Sequence, residues 1–569
     1  MKFSLQVCIL CACAVSAFSL DREAFTITRY DLDAGVEPEL ERLAVRGRLE
    51  LRNDSSSGQK HAVLQVSSSL SWRSIESGGK PLQFVSQPYE SDVDHTGELS
   101  EAIVTLPKEV APGGSVTLDV GYEGVIVLDA TRLTSIAVPK EVALHSDWDQ
   151  IGKSFTAVRG AGYVAWYPVA MEASNLSEGN SLFDAIGRWR QRERGAEIHV
   201  WLHETGDSAE PPELPICNGA EAENQEGHRG VGAVDCSFSP VGLVVPTFVV
   251  GKYQLLDRPG LKVYYLAEHA KQAENFALAA DPVTPFVSDW FGIPHAKAEV
   301  VELADPGASP FESGPWLLTP LSDTDPKLLQ LALVHSFVHA AFSSPRPWIY
   351  EGLAHFAQAM YRERQDGRQA ALDLMGLHRA AILEAEREHG DRPKEAAPSE
   401  SLVTTTREEF YRSKATYVWW MLRDIVGEEG LKKALAEYNP AADKEPSYMQ
   451  RLVQAQSKRD LEWFFDDWVY RDRGLPDFRI VSVFPRRTME SSYVTTVTVE
   501  NLGRAGAEVP LTVRSDRGDA TARLLVRASD KASIRFETAS LPTEVVVNDG
   551  SVPESDLSHH VFPVKDSQK

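Results

Sequence analysis

Two histidines, His335 and His339, stand four residues apart in PKLLQLALVHSFVHAAF, a segment whose apolar residues recur at helical spacing. Positions i and i+4 of a helix share one face, so two imidazoles placed this way can hold one metal ion between them. Asp325-Pro326 opens the segment as a helix start, with Asp able to cap and Pro tolerated at the first helical position. A break at Ser343-Ser344-Pro345-Arg346-Pro347 follows, and a second helical segment, WIYEGLAHFAQAMYRERQ, carries Glu351 in its expected first turn. Two imidazoles from one helix and a carboxylate from the next make a three-ligand zinc site with a fourth position open to water. Such a zinc lowers the pKa of its water toward ~7 and polarises a carbonyl. Hydrolysis by such a water also needs a group that takes its proton and later delivers it to the leaving group.

The helices that must carry these residues occupy the middle third of the chain. From about Phe25 to Leu256 the pattern is short runs of alternating apolar and polar residues, such as AVLQVSSSLSW and AEIHVWLHE, separated by Gly, Pro, Asp and Ser. That alternation predicts antiparallel β-structure. Helical spacing begins near Ala267 and continues through YRSKATYVWWMLRDIV and LEWFFDDWVYRDR, with a few strands such as Ala298 to Leu303 near its start. Alternation returns after Pro476 in FRIVSVF, YVTTVTVENL and TEVVVND. The expected fold class is therefore multidomain α+β. An N-terminal β-sandwich or saddle domain spans 18–258, a mainly helical domain 259–475, and a small C-terminal β-sandwich 476–569.

HSFVH followed by WIYEGLAHFAQ resembles the gluzincin metallopeptidases of the aminopeptidase N type, which carry H-E-x-x-H on one helix and an N-E-G-F-A-like segment on the next. WFGIP (Trp290 to Pro294) is similar to the segment ahead of that family's first catalytic-domain strands. FESGPWLLTPL (Phe311 to Leu321) resembles its G-A-M-E-N substrate strand and sequel, and FYRSKATYVWWMLRDIVGEEGLKKAL its Y-x-K-G-A helix. YVAWYPV and TFVVGKY echo its N-terminal β-domain, and the matches run in the family's order over nearly the whole mature chain. The resemblance implies a thermolysin-like central domain and one zinc ion on His335, His339 and Glu351. It gives Glu312 the role of binding a peptide's free amino terminus. It makes Tyr411 the match to the oxyanion-stabilising tyrosine, although Tyr411 precedes Lys414 by three residues where the family has two.

The departures bear on activity. Ser336 follows the first histidine, where the family has its general-base glutamate. A serine hydroxyl has no pKa near neutrality and does not take up that proton, and loss of such a base removes roughly 10²–10⁴ in rate. The strand reads Pro310-Phe311-Glu312-Ser313 in place of G-A-M-E-N, and the spacing from His339 to Glu351 is shorter than in aminopeptidase N. Three readings follow. The first is an exported zinc protein that hydrolyses or binds peptides; the second is a pseudopeptidase that recognises peptides or proteins without turnover. The third is a structural protein with an empty histidine pair.

Other residues have plainer readings. Glu312 is either a solvated loop carboxylate or a substitute base leaning toward the metal. His355, one turn beyond Glu351, is expected to support or pack, since neighbours that both bind would crowd the site. Tyr411 and Tyr417 share an aromatic stripe with Trp419 and Trp420, a common core pattern. Asp466 and Asp467 are expected on a helix surface, and His145, His199 and His203 as structural or surface residues without ligand-like partners.

The 569 residues are 43% hydrophobic, enough for several cores, so wholesale disorder is excluded. Acidic residues outnumber basic ones by 82 to 58, a net charge of −24 that repels nucleic acid and anionic lipid. No stretch beyond the N-terminus is long and apolar enough for a bilayer span. Met1-Lys2, the apolar run to Phe18 and Val15-Ser16-Ala17 read as an export signal over residues 1–17. An uncleaved anchor and a lipoprotein modified at Cys13 are the alternatives. Cys8, Cys11 and Cys13 leave with the signal, so Cys217 and Cys236 are expected to form one disulfide around the polar stretch Asn218 to Asp235 in an oxidising compartment.

Overall fold

Period-two burial builds the N-terminal region of the computed structural model, which describes residues 20–205, 213, 215–221, 232–391, 401–471, 473–489 and 491–564. The expected export segment at 1–17 and much of the stretch between the two cysteines lie outside them. Along Arg42–Asn53, Leu43, Val45, Leu49 and Leu51 are buried while Arg46, Arg48, Glu50 and Arg52 face out, the alternation a strand with one solvated face requires. This strand is central in an eight-stranded sheet, between Phe25–Glu37 and Ser115–Val125. Two three-stranded sheets accompany it, one around Glu98–Val110 and one around Phe248–Gly251.

The sheet is not antiparallel throughout, as the alternation had suggested. Phe25–Glu37 pairs in parallel with Glu197–Glu204, Arg29 lying opposite Glu197. Parallel neighbours need a long crossover, and here it includes a helix, Ser181–Glu193, that the sequence reading did not assign. Its signal was present: Leu182, Ala185, Ile186 and Trp189 recur at helical spacing and are all buried.

That helix ends on a buried carboxyl. The Tyr30 hydroxyl lies 3.1 Å from Pro168 O and 2.7 Å from Glu193 Oε2, and one hydroxyl proton cannot serve both acceptors. A protonated Glu193 resolves this by donating to Tyr30, leaving Tyr30 free to donate to Pro168. Burial pushes the Glu193 carboxyl up to about 7 from an ordinary 4.5. The folded state thus holds a proton the unfolded state has released, so this stability is complete below pH 4.5 and lost as pH rises toward 7. Glu193→Gln is accordingly expected to match wild type near pH 4 and to exceed it by up to about 3 kcal/mol at pH 8. Denaturant titrations at the two pH values check this, and an equal loss at both would overturn it.

The central region opens on a mixed five-stranded sheet. Leu261–Tyr265, Ala298–Glu302 and Trp316–Thr319 run parallel, with Gln254–Arg258 and Phe311–Ser313 antiparallel at the edges. The hairpin Gln254–Tyr265 straddles the expected boundary at residues 258 and 259. Helices then dominate: Ala270–Phe291, Pro326–Ala341, Pro347–Asp366 and Ala415–Val426 pack around fully buried Trp348, Trp419 and Trp420. The C-terminal strands form two facing sheets, of three and four strands. Their core is continuous with that of the helical region. Trp468 Nε1 donates to Gly506 O at 2.8 Å, and Asp467 accepts from Gly506 N at 2.9 Å. Asp467 is therefore buried in this seam rather than on a helix surface, whereas Asp466 pairs with Arg471 and Arg473. Among the described residues no helix is long and apolar enough to cross a membrane.

Candidate metal centre

Asp325 caps the histidine helix, Pro326–Ala341, by accepting from Lys327 N at 2.8 Å. From Leu333 to Ala341 every residue is buried, so both imidazoles are carried into the interior. The chain leaves the helix extended at Phe342 and turns back through Ser343 to Arg346. Arg346 secures the turn with two hydrogen bonds to Asp443, at 2.7 and 2.8 Å. The glutamate helix, Pro347–Asp366, starts earlier than expected, at Pro347, so Glu351 is its fifth residue and lies in the second turn. Gly352 lets the helix Ala415–Val426 approach closely: a Cβ there would stand 2.6 Å from Ala415 Cβ.

The two helices bring His335, His339 and Glu351 together. His335 Nε2 is 3.6 Å from Glu351 Oε2, and His339 Nε2 is 3.5 Å from Glu351 Oε1. A tetrahedral zinc with bonds near 2.1 Å separates its donor atoms by about 3.4 Å. Each imidazole meets that spacing against a different Glu351 oxygen, whereas the group whose ligating atoms all lie within 4.8 Å of one another is His335, Glu351 and His355. Both ring nitrogens of His335 and of His339 are buried without a hydrogen-bond partner. Leaving such groups unmade costs ~1–3 kcal/mol each, and a cation is the partner this donor set fits. Around them, the Arg412 guanidinium pairs with Glu351 and Glu408, and Glu312 stands against His335.

The titrations follow from these neighbours. Burial and the adjacent His335 push His339 down to about 3, so it is a neutral donor at ordinary pH. Burial alone would lower His335 as well, but Glu312 and Glu351 outweigh it and hold its pKa above the usual value. Burial would raise Glu351; Arg412 and the two imidazoles overcome that and keep it well below the usual carboxylate range.

The remaining candidates are placed as follows. Glu312, on the edge strand Phe311–Ser313, has Oε2 3.3 Å from His335 Nδ1, so it faces the centre instead of being a solvated loop carboxylate. Ser336 is fully buried and its Oγ has no hydrogen-bond partner. Tyr411 sits in a π-helical turn, Glu409–Lys414, and its hydroxyl donates to Glu408 at 3.1 Å, not to the histidine–glutamate cluster. It lines a cleft of about 340 Å³ shared with Tyr163, Arg190 and Pro310.

The sequence reading missed Arg412. Its Nε donates to Glu351 Oε2 at 3.1 Å. The residue count pointed there, because Arg412 lies two residues before Lys414, the spacing the resemblance gives its tyrosine. His355, expected to support or pack, falls in the group with His335 and Glu351, and His339 does not.

Cys217 and Cys236 are joined in a disulfide, with Cα atoms 6.4 Å apart. His145, His199 and His203 form ion pairs with carboxylates. They pair with Asp305 at 2.6 Å, Asp235 at 3.2 Å and Asp33 at 2.8 Å, none within a larger ligand cluster among the described residues.

No protein-family model matches the sequence, and no curated protein matches it by sequence comparison. Solved structures do match. Aminopeptidase A of Legionella pneumophila, in complex with aspartic acid, superposes with a TM-score of 0.57 at 13% identity, covering 93% of this chain and 59% of that one. A point mutant of an M1 zinc metallopeptidase from Deinococcus radiodurans gives a TM-score of 0.44 at 17% identity, covering 80% of this chain and 96% of that one. The chain thus has the fold of the Legionella enzyme over somewhat more than half of that enzyme's length.

Proposed function

We propose that the chain is an exported protein that binds zinc at His335, His339 and Glu351 and recognises peptides, with hydrolysis weakened or lost. The observation that carries it is the cluster of buried, unpartnered imidazole nitrogens around Glu351. Zinc, when bound, supplies Lewis acidity there. The chain's own residues do the rest: His335, His339 and Glu351 would hold the ion, Arg412 orients the Glu351 carboxylate, and Glu312 puts its negative charge 3.3 Å from His335 Nδ1. The cleft lined by Tyr163, Arg190, Pro310 and Tyr411 would take the peptide; none of His335, His339 and Glu351 lines it, but Glu408 does and pairs with Arg412. The Legionella neighbour, an aminopeptidase, has the same fold. The apolar N-terminal segment and the Cys217–Cys236 disulfide support export.

Ser336 decides between binding and turnover. It offers no carboxylate beside His335, and the remaining acid, Glu312, has an oxygen at His335 Nδ1. A working peptidase is the second reading, and it depends on Glu312 taking the proton. Purified protein is expected to contain about one zinc per chain, to bind short peptides by calorimetry, and to cleave a chromogenic aminoacyl panel roughly 10²–10⁴ more slowly than a metallopeptidase with its base intact. Absence of metal overturns the proposal, and full-speed cleavage replaces it with the peptidase reading.

A further inference from the structure

We infer that Arg190 is the carboxylate receptor of the cleft, which therefore takes a short peptide carrying an apolar residue and a free carboxylate. The inference rests on the reading above that a peptide occupies this cleft.

One face of the helix Ser181–Glu193 builds the site. Phe183, Ile186, Gly187 and Arg190 follow one another at helical spacing, and all four line the cleft of about 340 Å³. Phe183 and Ile186 make this face apolar, and Arg190 ends it with a guanidinium. Gly187 seats the helix, because a Cβ there would stand 2.6 Å from both Cβ and the carbonyl oxygen of Thr406. Thr406, Glu408 and Tyr411, from the segment it approaches, line the same cleft.

The charges of the cleft single out Arg190. Acidic residues outnumber basic ones by 82 to 58, so an arginine of this chain has carboxylates in excess to pair with. The other two arginines lining the cleft do so. Arg132 pairs with Asp147 and donates to the Asp92 and Gly162 carbonyls, all at 2.7–2.9 Å. Arg159 pairs with Asp149 at 2.7 Å and donates to Ser146 O at 2.8 Å. Glu408 is taken as well, accepting from Arg412 at 3.3 Å and from the Tyr411 hydroxyl at 3.1 Å. The half-buried Arg190 guanidinium has neither hydrogen bond nor ion pair among the described residues. It keeps a planar fork of donors, the geometry that grips a carboxylate through two parallel bonds.

The helix also sets a length. Seven residues at 1.5 Å place Phe183 and Arg190 about 10 Å apart along the axis, the reach of about three extended residues. A tripeptide thus spans from the apolar end to the guanidinium. Its carboxylate comes either from the C-terminus or from an acidic side chain.

Calorimetry on the full chain with four tripeptides tests the assignment. Ala-Leu-Ala with a free C-terminus is compared with its C-terminal amide, and Ala-Leu-Glu amide with Ala-Leu-Gln amide. In one pair the acid is expected to bind roughly 10–100-fold more tightly than its neutral counterpart, and that pair identifies the source of the carboxylate. Arg190→Gln should erase the ratio. Arg190→Lys, which keeps the charge without the fork, should retain part of it. A merely structural loss would weaken all four peptides alike and leave the ratio standing. Equal binding within both pairs by wild type, or a ratio that survives Arg190→Gln, overturns the carboxylate receptor while leaving peptide recognition intact. Binding of none of the four overturns the proposed function, and this assignment with it.

Discussion

Trp348→Ala should cost about 3–5 kcal/mol of stability and release the metal with it. Trp348 is fully buried and is the second residue of the helix that carries Glu351. Its ring stacks on Trp419 with centroids 5.0 Å apart and planes 14° from parallel, and its carbonyl accepts from Trp419 Nε1 at 3.1 Å. Truncation leaves a cavity between this helix and Ala415–Val426, the helix that follows Arg412 in the chain. Both partners of the Glu351–Arg412 contact then lose their fixed spacing. Denaturant unfolding with metal analysis on the same samples checks the outcome. Trp348→Phe, which keeps an aromatic ring in place, should lose much less. A midpoint for Trp348→Ala equal to wild type would show that the stack does not anchor the helix.

Glu351→Gln is the second large effect. Losing one of a few zinc donors costs roughly 3 kcal/mol, or about 10²-fold in affinity. The amide keeps the size of the carboxylate but loses the charge that both imidazoles and Arg412 face at 3.1–3.6 Å. Arg412 is a third exposed and retains Glu408 at 3.3 Å, so the protein should stay folded while its metal content falls. Competition with a chromogenic chelator measures the affinity directly. Wild-type affinity in this variant would remove Glu351 from the ligand set.

Local spacing made much of this legible. The change from period two to period 3.6 marked the helical middle third, and Asp325-Pro326 marked the start of the helix that carries His335 and His339. The i,i+4 pair is a property of a single helix, so it can be read along the chain. The parallel partner of Phe25–Glu37 was not legible, because its mate lies far along the sequence and alternation looks the same in either direction. Asp467 read as surface because the sheet that covers it comes from later residues.

The amino-acid sequence alone determined which donor types each helix offers, and that Ser336 supplies no carboxylate beside His335. Only the tertiary structure decided which donors meet. Gly352 and the Trp348–Trp419 stack dock the glutamate helix on Ala415–Val426 and so place Arg412 on the carboxylate. Packing against the histidine helix brings Glu351 to both imidazoles and sets His355 beside His335. Spacing along one helix is fixed by its 3.6-residue turn, whereas the approach of two helices depends on every side chain packed between them.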